Sequence, residues 1–448
     1  MKSWIRCSTA PVCAAVLCGM AVSAGAAGQG QGAAKIRPFN VHIQHKFNAP
    51  PTNTQCLAAL DVHCYGPPQF AKAYNLTPLH SNGIDGRGTT IVIVDAFGSP
   101  TIQADLHKFD QDYGLPDPPS LKILQPAGAV PPYDVNDSDM VNWAFETTLD
   151  VEYAHAFAPG ANIVLVETPV SETEGVHGFP EIVRAENYVI NHNIGDVISQ
   201  SFGATEETFP NDLSILLLRG ALINAALHRV TVLGASGDFG ATDYELNLTD
   251  LYPTQVNSWP SSDPLVTSVG GTQLLLDDAG NRLRPDVVWN DGFGASGGGV
   301  SSVFPRPLFQ ISVRSLVGRW RGTPDISLSA AVDGSALVYT SFIPGQEGYY
   351  LIGGTSEATP EFAGIVAMAT QVAGHRLGLL GNKLYNLARR NLVDVTQGDN
   401  SYGPFTNSDG NTYTVVGYPA LPGYDLSSGL GTLDASKFVP ALAHASDD

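Results

Sequence analysis

The sequence predicts an α/β fold: a parallel β-sheet flanked by helices on both faces. Two observations predict it. Several short runs are continuously apolar and β-branched, as strands buried on both faces must be. Segments with helical spacing alternate with them across short turns, the pattern of a parallel sheet with crossover helices. The first strand is "TTIVIVDAF" (89–97), followed by a helix near 101–112. "MVNWAFETTLDVEYAHAFA" (140–158) has helical spacing and leads through "PGA" into the strand "NIVLVE" (162–167). A helix near 179–193, the strand "DVISQSF", a helix near 212–228 and the strand "VTVLGAS" continue the alternation. The last third is rich in Gly, Pro and Asp and reads as loops plus one long helix from about Ser356.

The chain has 448 residues with 43 acidic and 23 basic side chains, a net charge of −20. That balance excludes a nucleic-acid partner, which needs a basic face. Surplus acid serves solubility, or a protein that works in acid and loses charge there. Residues 1–27 read as a secretory signal: Lys2 and Arg6, an apolar run from Pro11 to Ser23, then small residues. No later stretch suits a membrane span, so no membrane partner is expected. Cys56 and Cys64 are the cysteines beyond the signal, and a close pair in an oxidising compartment predicts a disulfide. Residues 28–65 are expected to be a flexible extension and 66–445 a single domain.

Three motifs carry candidate chemistry. "GGTSEATP" places Ser356 at a helix start, where free N–H groups and the dipole favour developing negative charge. Pro360 is expected in the first turn, where its missing N–H costs little. Alone, such a serine is an ordinary cap. Glu146 and Asp150 stand four residues apart on one helix face, among apolar neighbours. Burial there would make them share a proton and titrate as a pair; on a wet surface they would be a solvated acidic face. Asp238, in "ASGDFG", follows a strand and would otherwise be a turn aspartate. No histidine stands in an "HGT"-like context: His177 precedes Gly178-Phe179, while His155 and His228 look packed or structural. Asp394 and Asp425 lie in glycine-rich loops whose hard oxygen donors favour Ca²⁺. "NSDGN" (407–411) lacks the glutamate of an EF-hand loop and reads as a turn.

The serine segment resembles both subtilisins and sedolisins, the serine-carboxyl peptidases. "ExxxD…APGA", "ASGDxG", "SQSFG" (199–203), "SGGGVSSVFPRP" and "GTPDISLSA" resemble sedolisins over about residues 66–435. The resemblance implies a subtilisin-like fold and a secreted endopeptidase acting on proteins or peptides in acid. It implies Ser356 as nucleophile, Glu146 as its base, Asp150 as the group orienting Glu146, and Asp238 in the oxyanion hole. It further implies substrate pairing along the backbone of Ser201, Phe202 and Gly203. One calcium ion is implied on the side chains of Asp394 and Asp425 and the carbonyls of Val395, Leu421 and Gly423. Leu421 departs from the glycine usual in the family. The large pro-domain of many sedolisins does not fit the forty or so residues before the domain. A monomer is expected. The rival readings are a histidine-dependent subtilase, with Asp95 imitating its aspartate, and a non-catalytic secreted binding protein on the same scaffold.

Overall fold

The computed structural model describes residues 40–387 and 391–446. The predicted signal and residues 28–39 lie outside them. Residues 41–65 are not the flexible extension expected from their composition. Val41–Phe47 is strand β1, Asn53–Leu60 is helix α1 and Cys64–Tyr65 is strand β2. Thr52 caps α1 through a capping box with Gln55. The Cys56–Cys64 disulfide is present and ties α1 to β2.

The alternating part follows the predicted order. It contains β3 (Thr90–Ala96), α2 (Ile102–Tyr113), β4 (Leu121–Leu124), α3 (Ser138–Phe157), β5 (Asn162–Thr168), α4 (Phe179–Asn191) and β6 (Val197–Gln200). After them come α5 (Asp212–Leu218), α6 (Gly220–Leu227), β7 (Thr231–Ala235) and β8 (Thr267–Gln273). The single helix expected near 212–228 is therefore two, broken at Arg219. The last third holds more strand than its composition suggested: β9 (Val287–Val288), β10 (Ile326–Ser329), β11 (Ser335–Thr340) and β12 (Gly348–Gly353), before helix α7 (Thr355–Ala373).

The main sheet runs β9-β8-β7-β6-β3-β5-β4, with β10 also paired to β8. All its pairings are parallel except that of β8 with β9. Side chains alternate across it as the pleat requires. Ile91, Ile93 and Leu165 face the core formed with α3 and α7; Val92, Val94 and Val166 face the core formed with α4 and α6. Both faces are thus covered, as the unbroken apolar runs demanded. A second sheet, β1-β12-β11-β2, leads directly into α7.

Candidate active site

Helices α3 and α7 pack side by side and bring the predicted residues together. Gly364 permits the approach: a Cβ there would lie 2.5 Å from Cβ of Phe157. Gly354, at φ 122°, makes the turn from β12 into α7, a conformation few side chains tolerate. Pro360 is the sixth residue of α7 rather than part of its first turn. Its missing N–H therefore removes the intrahelical partner of the Ser356 carbonyl.

Ser356, Glu146 and Asp150 are all fully buried, and Asp238 is 2 % exposed. Ser356 Oγ donates to the Ser201 carbonyl at 3.2 Å. Ser201 Oγ donates to Asp150 Oδ1 at 2.9 Å. Asn40 Nδ2 donates to Glu146 Oε2. Glu146 Oε1 and Asp150 Oδ2 are buried without a well-formed hydrogen bond. Asp238 Oδ1 accepts from the Thr355 N–H and from Thr355 Oγ1, each at 2.8 Å, and its Oδ2 has no partner.

The electrostatics shift these acids in one direction. Burial raises all of them, because a carboxylate loses its hydration. Glu146 is pushed up to about 8; the Ser356 and Asn40 donors beside it and the neighbouring Asp150 carboxyl pull it back. Asp150 is raised well above the carboxylate range by burial and then by the charges of Glu146 and Asp95. Asp238 is raised equally firmly by burial, with only the Thr355 donors opposing. Asp95, at the end of β3, is raised by burial and by Glu146. Within the cluster burial thus raises Glu146, Asp150, Asp238 and Asp95 alike, so all four favour their protonated forms.

Ser201, Phe202 and Gly203 follow β6 and are buried. The Ser201 backbone reaches the centre, whereas the Phe202 ring packs at 6.2 Å on Trp143 and 6.3 Å on Phe179. His155 is buried far from this role, with Nε2 at 2.8 Å from the Pro116 carbonyl and 3.2 Å from Asp110. His228 Nδ1 meets the Asn224 carbonyl at its helix end. Residue patterns gave no sign of Asn40, which has no motif, nor of the contact between Ser201 and Asp150.

The loops that carry the predicted metal residues meet. Asp394 accepts from the Gly423 N–H at 2.9 Å and Asp425 from the Leu421 N–H at 3.0 Å. Asp425 Oδ1 further accepts from the N–H groups of Ser427 and Ser428. Val395 is buried beside Asp394. Among the described residues no three His, Cys, Asp or Glu side chains cluster as a metal cage. A cation here would need backbone carbonyls, and those of Val395, Leu421 and Gly423 take no part in the loop's backbone hydrogen bonding. Two carboxylates with such carbonyls suit a hard cation. "NSDGN" is the turn between strands Tyr402–Thr406 and Thr412–Val415. No helix among the described residues is long and apolar enough to cross a membrane.

A parallel α/β sheet, a helix-borne serine and a buried carboxylate cluster define a subtilisin-like hydrolase scaffold. The sequence pattern of the subtilase family matches residues 139–402, and the chain belongs to that family. It is 32 % identical over 387 residues to kumamolisin of Bacillus sp. (strain MN-32), covering 84 % of this chain and 63 % of that protein. It is 29 % identical over 393 residues to sedolisin of Pseudomonas sp. (strain 101), covering 85 % and 62 %. The chain thus spans a little under two thirds of the length of these relatives. The solved structure of Pseudomonas sedolisin, a serine-carboxyl proteinase complexed with two molecules of pseudo-iodotyrostatin, superposes with a TM-score of 0.70. The match is 28 % identical and covers 84 % of this chain and 97 % of that one.

Proposed function

We propose that the chain is a secreted serine-carboxyl endopeptidase that hydrolyses peptide bonds of proteins or peptides at acidic pH. The observation that carries the reading is the meeting of Ser356, Glu146, Asp150 and Asp238 in one buried centre. Glu146 takes the Ser356 proton as Oγ attacks the carbonyl carbon. Asp150, protonated, donates to Glu146 and keeps the charge in place. Asp238 offers its proton through the otherwise unpartnered Oδ2, and with the Ser356 N–H it holds the oxyanion. Glu146 then returns the proton to the leaving amine, the acyl-enzyme forms, and water repeats the sequence. These steps require protonated Asp150 and Asp238, so activity is lost once pH rises far enough to ionise them.

One Ca²⁺ held by Asp394, Asp425 and the carbonyls of Val395, Leu421 and Gly423 would tie the loop at 394 to that at 421–425; the proton steps do not pass through it. Support for calcium is the contact between the loops that carry Asp394 and Gly423, and for secretion the signal-like start with the disulfide. The deciding experiment is protein digestion across pH 3 to 7 by the wild type, Ser356→Ala, Glu146→Gln and each His→Ala. The proposal expects loss in the first two variants and retention in all the histidine variants. Dependence on one histidine would instead establish the histidine subtilase, and no digestion at any pH the binding protein. Activity of the freshly purified chain without trimming tests the form that lacks a large pro-domain.

A further inference from the structure

Strands β6, β3 and β5 are neighbours in the main sheet, and their carboxyl ends form a row beside the nucleophile. Ser201 follows β6, and its carbonyl accepts from Ser356 Oγ at 3.2 Å. Val94 lies level with Gln200, and Asp95 with Glu167. Glu167 therefore stands two strand spacings, about 10 Å, from Ser201. Ile93 and Leu165 face the core formed with α3, so by alternation Asp95 and Glu167 lie on that same face, beneath the helix that carries Glu146.

A pocket of about 170 Å³ opens at this point. Pro100, Gln125 and Pro131 at its rim are exposed, while Ser99, Met140 and Glu167 are buried, so the pocket deepens towards the acid. Phe97, Tyr133 and Met140 give it apolar walls. Glu167 Oε2 accepts from Gln125 Nε2 at 2.8 Å. Its Oε1 lies over Gly98, leaving no room for a Cβ there, and no donor of the described residues meets it. Ser99 Oγ is buried without a partner. An apolar occupant would shut both oxygens away from water unpaired, which is costly. A long stem ending in a donor suits the walls and the acid together. An ammonium or guanidinium donates to a carboxyl oxygen whether or not the acid holds its proton.

We propose that this pocket is a substrate subsite for a lysine or arginine side chain, its stem against Phe97, Tyr133 and Met140 and its head on Glu167. An extended peptide advances about 3.4 Å per residue, so the basic residue stands within about three positions of the cut bond. The inference rests on the catalytic reading above and adds a substrate class to it: peptides with a basic residue close to the cut.

The test uses the full-length chain and fluorogenic peptides carrying lysine or norleucine, the same stem without the charge, at each of the first three positions on either side of the cut bond. At one position kcat/KM should be about tenfold higher for lysine than for norleucine. Glu167→Gln, which still accepts from Gln125, should shrink that ratio to about twofold. Val130→Trp, which fills the pocket from its half-buried rim, should shrink it likewise without touching the acid. A readout without catalysis is binding of the same labelled peptides to the Ser356→Ala chain, where lysine should lead by about tenfold and Glu167→Gln should remove the lead. Equal rates for lysine and norleucine at every position, with Ser356-dependent cleavage intact, overturn the subsite and leave the peptidase standing. A lysine preference that survives both variants overturns the subsite as well. Lysine-selective binding that Glu167→Gln removes, with no Ser356-dependent cleavage, overturns the peptidase and leaves the pocket.

Discussion

Replacing Glu186 by Gln should make the protein more stable at neutral pH while changing little in acid. Glu186 lies on α4, away from the catalytic acids, and is 2 % exposed. Its partner is Gln200, whose amide donates to Glu186 Oε1 and whose own Oε1 is buried without a partner. Burial pushes Glu186 from 4.5 up to about 8, with the Gln200 donor opposing. A carboxyl raised on folding stabilises the fold below its unfolded pKa, and that stability is lost as pH rises towards the folded value. For Glu186 the window runs from about 4.5 to about 8. At pH 7 the folded group keeps its proton while the unfolded one has lost it. The gap of roughly 2.5 units costs about 3 kcal/mol at about 1.4 kcal/mol per unit. Glu186→Gln removes the titration yet still accepts from Gln200. Urea midpoints at unchanged slope, measured from pH 4 to 8, should show variant and wild type nearly equal at pH 4. By pH 7 the variant should lead by about 3 kcal/mol. Parallel stability curves for the two proteins would refute the reasoning.

Three further outcomes follow from the site. Asp238→Ala should cost on the order of 10²–10³ in kcat. Asp238→Asn, which keeps a donor that never ionises, should retain more activity and move the alkaline limb of the kcat profile upward; equal losses in both would remove Asp238 from the oxyanion site. Ser201→Ala removes the donor to Asp150 Oδ1, worth about 1 kcal/mol, so kcat should fall severalfold with KM little changed. Chelation of calcium, or Asp394→Ala, should lower the thermal midpoint, with recovery on adding Ca²⁺ to the wild type alone; midpoints insensitive to both would leave the loop as a hydrogen-bonded turn.

The sheet was legible because burial on both faces writes itself as β-branched runs, as in "TIVIVDA". The strands of the last third were not, because β10 to β12 lie in a stretch rich in Gly, Pro and Asp and hold their places by pairing with distant segments. Local pattern carries no trace of such pairing. Residues 28–65 looked flexible because the stretch is rich in Gly, Gln, Ala and Pro; β1, with Val41, Ile43 and Phe47 set among polar residues, is ordered by the β12 edge. Glu146 and Asp150 were legible as a pair from helical spacing alone, and Ser356 from its turn. Their meeting with Asp238 and Asp95 depends on α3 lying against α7, which Gly364 allows and no single motif announces. A second pair with the same spacing, Glu357 and Glu361, follows the nucleophile. Both are buried, with no well-formed hydrogen bond on any carboxylate oxygen. Spacing thus finds facing carboxylates, and only the fold distinguishes those that meet the serine.

The buried acids bear on the working pH more directly than the surface charge does. A surface carboxylate titrates near its free value and changes solubility or repulsion. Glu152, Glu172, Glu174, Glu357 and Glu361, like the catalytic acids, are raised well above the carboxylate range, and burial is the leading cause in each. Each contributes stability in acid that is lost as pH rises, in the same direction as Glu186. The requirement that Asp150 and Asp238 hold protons for catalysis therefore coincides with the requirement of the core around them.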